Sequence, residues 1–382
     1  MAAVLSPRRT WLAVLALCLV VTAAALLVAG WSFRRERARP GRFVPAPIPK
    51  VDVHQHVGPH TLADALRLGS AEGIRVVVNL SGGASDDELR PQLAAAAEHP
   101  GRALVFLSVE LEGCCDAGWQ RREVARLERG KAAGARGLAV YNSLGLTATD
   151  ESGARVALDD PRLDPVFEAA GRLGMPVSIH AGDPKAFFEP PGPGNERAAE
   201  LEAFPELSWA DRSRYPAWET VFREFARRVA RHPSVTFIGV HFGNDAEDPA
   251  EVGRLLDRLP NLYVDTAGRV PELGRRAAAA REVILAHSDR VLFGTDLQWI
   301  ELEDGRKGVV AGAGLPADAK ELRRFFDGTF RFLETRDPAI PSPTPIQGGR
   351  DLSGLGLPRE VLERIYHRNA ERLLGLAPLD RS

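Results

Sequence analysis

The chain has 382 residues, 45% of them hydrophobic and 26% charged, enough to bury a sizeable core in one large domain or two small ones. A net charge of -2 gives no strongly basic surface and argues against a nucleic-acid partner; arginine supplies nearly all of the 49 basic residues, a bias of composition. Three cysteines do not make a disulfide framework: Cys18 lies in an apolar run, and the adjacent Cys114 and Cys115 are poorly placed to bridge each other without strain.

The first element is "WLAVLALCLVVTAAALLVAGW", residues 11–31, uncharged and of roughly the 20-residue length that crosses a bilayer. Residues 1–33 are therefore expected to form an N-terminal transmembrane helix, either a retained anchor or a signal for export. "RRTWL" has a twin-arginine look, yet no A-x-A cleavage site follows, and Leu17 before Cys18 argues against a lipoprotein box. Arg8 and Arg9 precede the run while Arg34, Arg35, Arg37, Arg39 and Arg42 follow it, so the positive-inside rule pulls both ways. The expectation is a membrane-anchored domain outside the cytoplasm. Residues 34–48, rich in Arg and Pro, read as an extended linker, and residues 49–377 as the domain.

Within the domain, apolar β-branched runs recur at 51–57, 74–80, 103–109, 136–141, 176–180, 235–241, 261–265 and 291–295. Helical stretches separate them, such as "DPRLDPVFEAAGRLG" and "WETVFREFARRVARH". Eight strands alternating with helices predict an α/β fold, a closed (β/α)8 TIM-like barrel. An open doubly wound sheet is the rival, but no Gly-rich phosphate turn follows the first strand. Two connections, after the fifth and eighth strands, are long enough to be lids or substrate walls at the carboxyl ends of the strands.

The first strand, "VDVHQHV", places Asp52, His54 and His56 on one face by alternation, with Gln55 on the other. His180 ends the fifth strand, His241 the sixth, and Asp296 follows the eighth; each is a polar residue closing an apolar run. In a barrel these ends converge on one mouth, so three imidazoles and a carboxylate from this set are candidate ligands of a divalent metal, Zn2+ by donor type, with Mn2+ or Fe2+ as alternatives. Asp52 would orient a ligand or serve as a strand-end partner. His99, His232, His287 and His367 read as structural or solvated, and His60 as a loop residue.

"VDVHQH", "GLAVYNSLGL", "VSIHAGDP", "FIGVHFGN", "LFGTD" and "IYHRNAERLLGL" together resemble the amidohydrolase superfamily, specifically its amidohydrolase-2 group of metal-dependent hydrolases and decarboxylases, over residues 49 to 377. The resemblance implies that His54, His56, His180 and Asp296 bind the metal, and that His241 polarises water or substrate beside it. With Asp296 as the proton acceptor, His241 and Asp296 are the expected catalytic pair. Binuclear relatives carry a lysine or glutamate at the end of the fourth strand; here that stretch reads "GLAVYNSLG", and Glu110 and Glu112 on the third are read as ordinary polar neighbours, so one metal is expected.

The activity expected is hydrolysis of a small amide, ester or lactone by metal-bound hydroxide. The alternatives are non-oxidative decarboxylation of an aromatic or unsaturated acid, and a catalytically inactive membrane-tethered binding protein. The partners expected are a small-molecule substrate, the membrane through residues 11–31, and a second copy of the chain in a homodimer. Phe187, Phe188, Trp209, Trp299, Lys185 and Arg269 lie near strand ends in the sequence but are assigned no role in binding substrate.

Overall fold

The computed structural model describes residues 43–302, 305–312 and 316–379; the apolar run 11–31 and most of the linker lie outside them. Among the described residues no helix is long and apolar enough to cross a membrane.

The expected strand runs form eight parallel strands: β1 (Lys50–Val57), β2 (Ile74–Asn79), β3 (Ala103–Ser108), β4 (Gly137–Val140), β5 (Val177–Ile179), β6 (Phe237–Gly239), β7 (Leu262–Asp265) and β8 (Val291–Leu292). Each pairs with the next in order. Closure comes from β1 meeting the chain that leaves β8: Val53 N–H donates to Phe293 O at 3.0 Å and Asp296 N–H to His54 O at 2.9 Å. Side chains from six of the strands, Val51, Val53, Val76, Val78, Leu104, Phe106, Ala139, Ile238 and Leu292, meet in one cluster, a convergence that a closed sheet permits. Ala370 and Leu374 of the C-terminal helical stretch join them, and Asn369 ties that stretch to the sheet by donating to Ser288 O and Val291 O, both at 2.8 Å.

Helices α1 (Leu62–Ala71), α2 (Asp86–Ala97), α3 (Ala117–Ala133), α4 (Asp164–Arg172), α5 (Trp218–Arg231), α6 (Pro249–Arg258), α7 (Ala277–Ala286) and α8 (Ala319–Glu334) return the chain between strands or follow the barrel. Their ends are written locally. Ser85 and Glu88 make a reciprocal capping box at the start of α2, Asp318 and Glu321 do the same for α8, and Gly134 closes α3 in the left-handed region.

Two local expectations need correction. First, the stretch after β8 holds, besides the helix its sequence predicts at 317–334, two strands: β9 (Leu297–Glu301) continues parallel to β1, and β10 (Lys307–Ala311) folds back antiparallel on it. Second, a register shift between Asp52 and Gln55 breaks the alternation of β1, so the Gln55 amide donates to Asp52 Oδ2 at 2.6 Å instead of pointing away.

Candidate metal centre

The ends of β1, β5, β6 and β8 deliver their polar residues to one point. The ring centroid of His54 lies 5.3 Å from that of His56, 5.3 Å from that of His180 and 4.9 Å from that of His241, and His180 and His241 are 4.9 Å apart. One ligand atom each from His54, His180 and His241 fall within 4.8 Å of one another, and the same holds for His54, His56 and Asp296. Asp296 Oδ1 stands 3.5 Å from His54 Nε2 and 3.4 Å from His56 Nε2.

Two of these residues arrive through unusual backbone. His241, Phe242, Gly243 and Asn244 have φ of 54°, 59°, 71° and 64°, a left-handed turn that costs about 1–2 kcal/mol for each residue other than glycine. Hydrogen bonds offset the cost. Asn244 N–H donates to Val240 O at 2.8 Å, its side chain bonds Ala181 N–H at 2.8 Å and Ile179 O at 3.2 Å, and Asp265 Oδ1 accepts from His241 N–H at 2.8 Å. Asp296, at φ 62°, turns the chain between β8 and β9 so that its carboxylate faces the imidazoles.

Hydrogen bonds on the far side of each ring decide where the protons sit. His54 Nδ1 meets Asp265 Oδ2 at 2.9 Å and His241 Nδ1 meets the carbonyl of Ala267 at 2.8 Å; both partners only accept, so both Nδ1 atoms carry the hydrogen and both Nε2 atoms hold a bare lone pair. His54 Nε2 is buried without any hydrogen-bond partner. That orphaned nitrogen, facing a carboxylate oxygen and other imidazoles, fits a cation.

The electrostatics agree. Burial holds His180 and His241 well below the ordinary imidazole value, helped by the neighbouring histidines at His180 and by Arg269 at His241. For Asp296 burial pushes upward, but the bond to His56 and the histidine charges win and hold it below the usual carboxylate range. Burial lowers His54, but the charge and hydrogen bond of Asp265 together with the charges of Asp296 and Asp52 outweigh it, so the net shift is upward. Neutral His180 and His241 beside an ionised Asp296 are in the protonation state a divalent ion requires, while Asp265 draws His54 toward the protonated form.

A family model described as Amidohydrolase matches residues 50–376, nearly the whole described domain. The chain belongs to the amidohydrolase family. Its members of this group are metal-dependent enzymes, and this amidohydrolase carries a His and Asp cluster able to hold a metal. Among solved structures, a 2,6-dihydroxybenzoate decarboxylase bound to 2,6-dihydroxybenzoate shares 18% identity and a TM-score of 0.52, over 86% of this chain and 99% of that one. The same enzyme from Rhizobium gives 17% and 0.50, over 86% and 99%. A Staphylococcus aureus chain assigned to the amidohydrolases gives 15% and 0.51, over 86% and 100%. At such identities these matches speak for the fold. A search of curated proteins finds no match.

All five sequence candidates, His54, His56, His180, His241 and Asp296, meet in this amidohydrolase's barrel mouth. Asp52 does not join them: it accepts from His54 N–H at 3.2 Å, from Gln55, and from Thr295 N–H and Oγ1 at 3.0 and 2.6 Å, a tie between β1 and the chain after β8. His60 is exposed in the loop after β1. The aromatic and basic residues named near the strand ends pack internally. Phe187 and Phe188 stand on Trp209 at 5.5 and 5.1 Å, Lys185 over Trp218 at 4.7 Å, Trp299 donates to Gln55 Oε1 at 3.0 Å, and Arg269 pairs with Asp183 at 2.5 Å.

Sequence reasoning missed Asp265, which orients His54 and His241 together. It ends β7 as the last letter of "LYVD", the same polar-after-apolar signal that marked the others. It also missed Tyr141, the residue after β4, whose ring lies 5.8 Å from His180 in a stacked arrangement and 6.1 Å from His56.

Proposed function

We propose that this amidohydrolase is a single-metal hydrolase acting on a small amide, ester or lactone. The observation that carries the reading is the convergence of four imidazoles and Asp296 on one point, with His54 Nε2 buried and orphaned there. His54, His56, His180 and Asp296 would hold the ion, Zn2+ by donor type, with Mn2+ or Fe2+ as alternatives. Bound there, the ion supplies Lewis acidity that lowers the pKa of water from about 15.7 toward about 7.

The protein's own groups do the rest. Asp296, held ionised, is ready to take a proton from the attacking water and pass it to the leaving group. His241 has committed Nδ1–H to Ala267 O, so Nε2 is an acceptor that can align the water for attack. Tyr141 stands where a bridging acid or lysine would follow β4, which supports one ion over two. Tethering through residues 11–31, with the domain outside the cytoplasm, is part of the same proposal, and fractionation of cells expressing the full chain tests it.

Metal analysis of the purified chain should give about one divalent ion, lost in His180→Ala. A panel of lactones, esters, amides and aromatic acids should show water uptake that stops on chelation and returns with metal. Release of CO2 from an aromatic acid without any hydrolysis would replace this reading with decarboxylation. Bound metal with no turnover on either kind of substrate would favour the inactive binding protein, and absence of metal would remove both enzymatic readings.

A further inference from the structure

His56 differs from the other ligand candidates in its far-side partner. Its Nδ1 meets neither carboxylate nor carbonyl but the hydroxyl of Ser81, at 2.8 Å. A hydroxyl can donate or accept, so Ser81 alone leaves the proton of His56 undecided. What lies behind Ser81 decides it. Ser81 Oγ is 3.2 Å from Tyr141 Oη, and Tyr141 donates its own hydrogen to the carbonyl of Leu80 at 2.9 Å. With that hydrogen committed, Tyr141 Oη can only accept from Ser81.

We infer that Tyr141 and Ser81 are positioning residues that form a one-way chain of hydrogen bonds, from His56 Nδ1–H to Ser81 to Tyr141 to Leu80 O, fixing His56 with a bare Nε2 toward the metal. The inference rests on the metal-dependent reading above and names the residues that set its second imidazole. The terminus is a carbonyl, which cannot return a proton, and this gives the chain its direction. Its anchor is rigid. Asn79 Oδ1 accepts from Ser81 N–H at 2.9 Å and from Val57 N–H at 3.0 Å, while Asn79 Nδ2 donates to Val57 O at 2.8 Å, so the turn after β2 is clamped to the end of β1 just beyond His56. Gln92 of α2 donates to Ser81 O at 3.1 Å and holds the turn from the helix side. Tyr141 also covers the rings of His56 and His180, so one residue packs against both imidazoles and carries the chain that sets the His56 tautomer.

Tyr141→Phe separates these two roles, because it keeps the ring and removes only the hydroxyl. Zn2+ affinity of the purified full chain, measured by chelator competition, should fall about 10- to 100-fold in Ser81→Ala and in Tyr141→Phe, and return close to wild type in Ser81→Thr. Wild-type affinity in both Ser81→Ala and Tyr141→Phe overturns the chain. If either variant fails to fold, nitrogen NMR of the metal-free wild-type chain decides: a hydrogen on His56 Nδ1 supports the inference whether or not Nε2 also carries one toward Asp296, and His56 protonated on Nε2 alone refutes it. A wild-type chain that binds no Zn2+ would end the functional reading, while the NMR measurement would still judge the hydrogen-bond chain by itself.

Discussion

Asp265 spends two oxygens on three donors. Oδ2 takes the His54 ring hydrogen, and Oδ1 takes the backbone N–H of His241 at 2.8 Å and of Ala267 at 3.1 Å. One carboxylate thus sets a tautomer on β1 and the left-handed turn after β6. In Asp265→Asn, an amide oxygen that keeps the two backbone donors turns its NH2 toward His54 Nδ1, which must then accept. The imidazole hydrogen moves to Nε2, into the space the ion needs. The variant should fold and bind metal about 10- to 100-fold more weakly, as chelator competition would report. Asp265→Ala should in addition melt lower, because two backbone N–H groups lose their acceptor at about 1–3 kcal/mol each. Undiminished metal affinity in Asp265→Asn would remove the orienting role.

At the scale of elements, the site depends on how tightly β7 and β8 close at the barrel mouth. Gly268, just past β7, has φ of +62°, and a Cβ there would sit 2.7 Å from Asp296 Oδ2. Gly268→Ala should therefore displace the carboxylate and weaken metal binding as well as stability. Gly153 provides the control: its φ is +80°, with nothing within 4 Å of a new Cβ, so Gly153→Ala should cost about 1 kcal/mol in denaturant unfolding and leave metal binding alone. Equal metal affinities in the two variants would separate Asp296 from the site.

The eight strands were legible because each is a short β-branched run bounded by helical spacing, and the five convergent residues because each ends such a run. The β9–β10 hairpin leaves one local signal, the dipeptide Asp304-Gly305, in a long connection after β8 whose dominant pattern is the helical spacing of 317–334. The bulge in β1 leaves no mark at all. "VDVHQHV" alternates without a break, and only pairing with β2 and the chain after β8 shifts its register and takes Asp52 away from the histidines.

For the molecule as a whole, charge placement in the loops was the part no local pattern could give. Arg197 pairs with Glu272 at 2.8 Å and with Glu200, Arg269 with Asp183, and half-buried Glu247 stands among them, with buried Asp245 two residues before it on the chain that leaves His241. These partners come from loops after β5, β6 and β7, and they meet only once the barrel has closed. Asp245 is pushed up to about 8 by burial, with the charges of Glu247 and Asp248 adding to it, and burial raises Glu247 in the same sense. Because the folded value of Asp245 stands above its unfolded one, its protonated form favours the folded state. That contribution is complete below about pH 4 and is lost as pH rises through about 8. Asparagine at this position carries no charge at any pH. Asp245→Asn should therefore melt above wild type at about pH 9, by at least about 2 °C, and the gap should narrow to about half by about pH 6, on its way to closing near about pH 4. Measuring both proteins at both values cancels any pH effect they share, such as proton competition at the histidines. A gap of equal size at the two values would mean that Asp245 is ionised, or exposed, throughout the range.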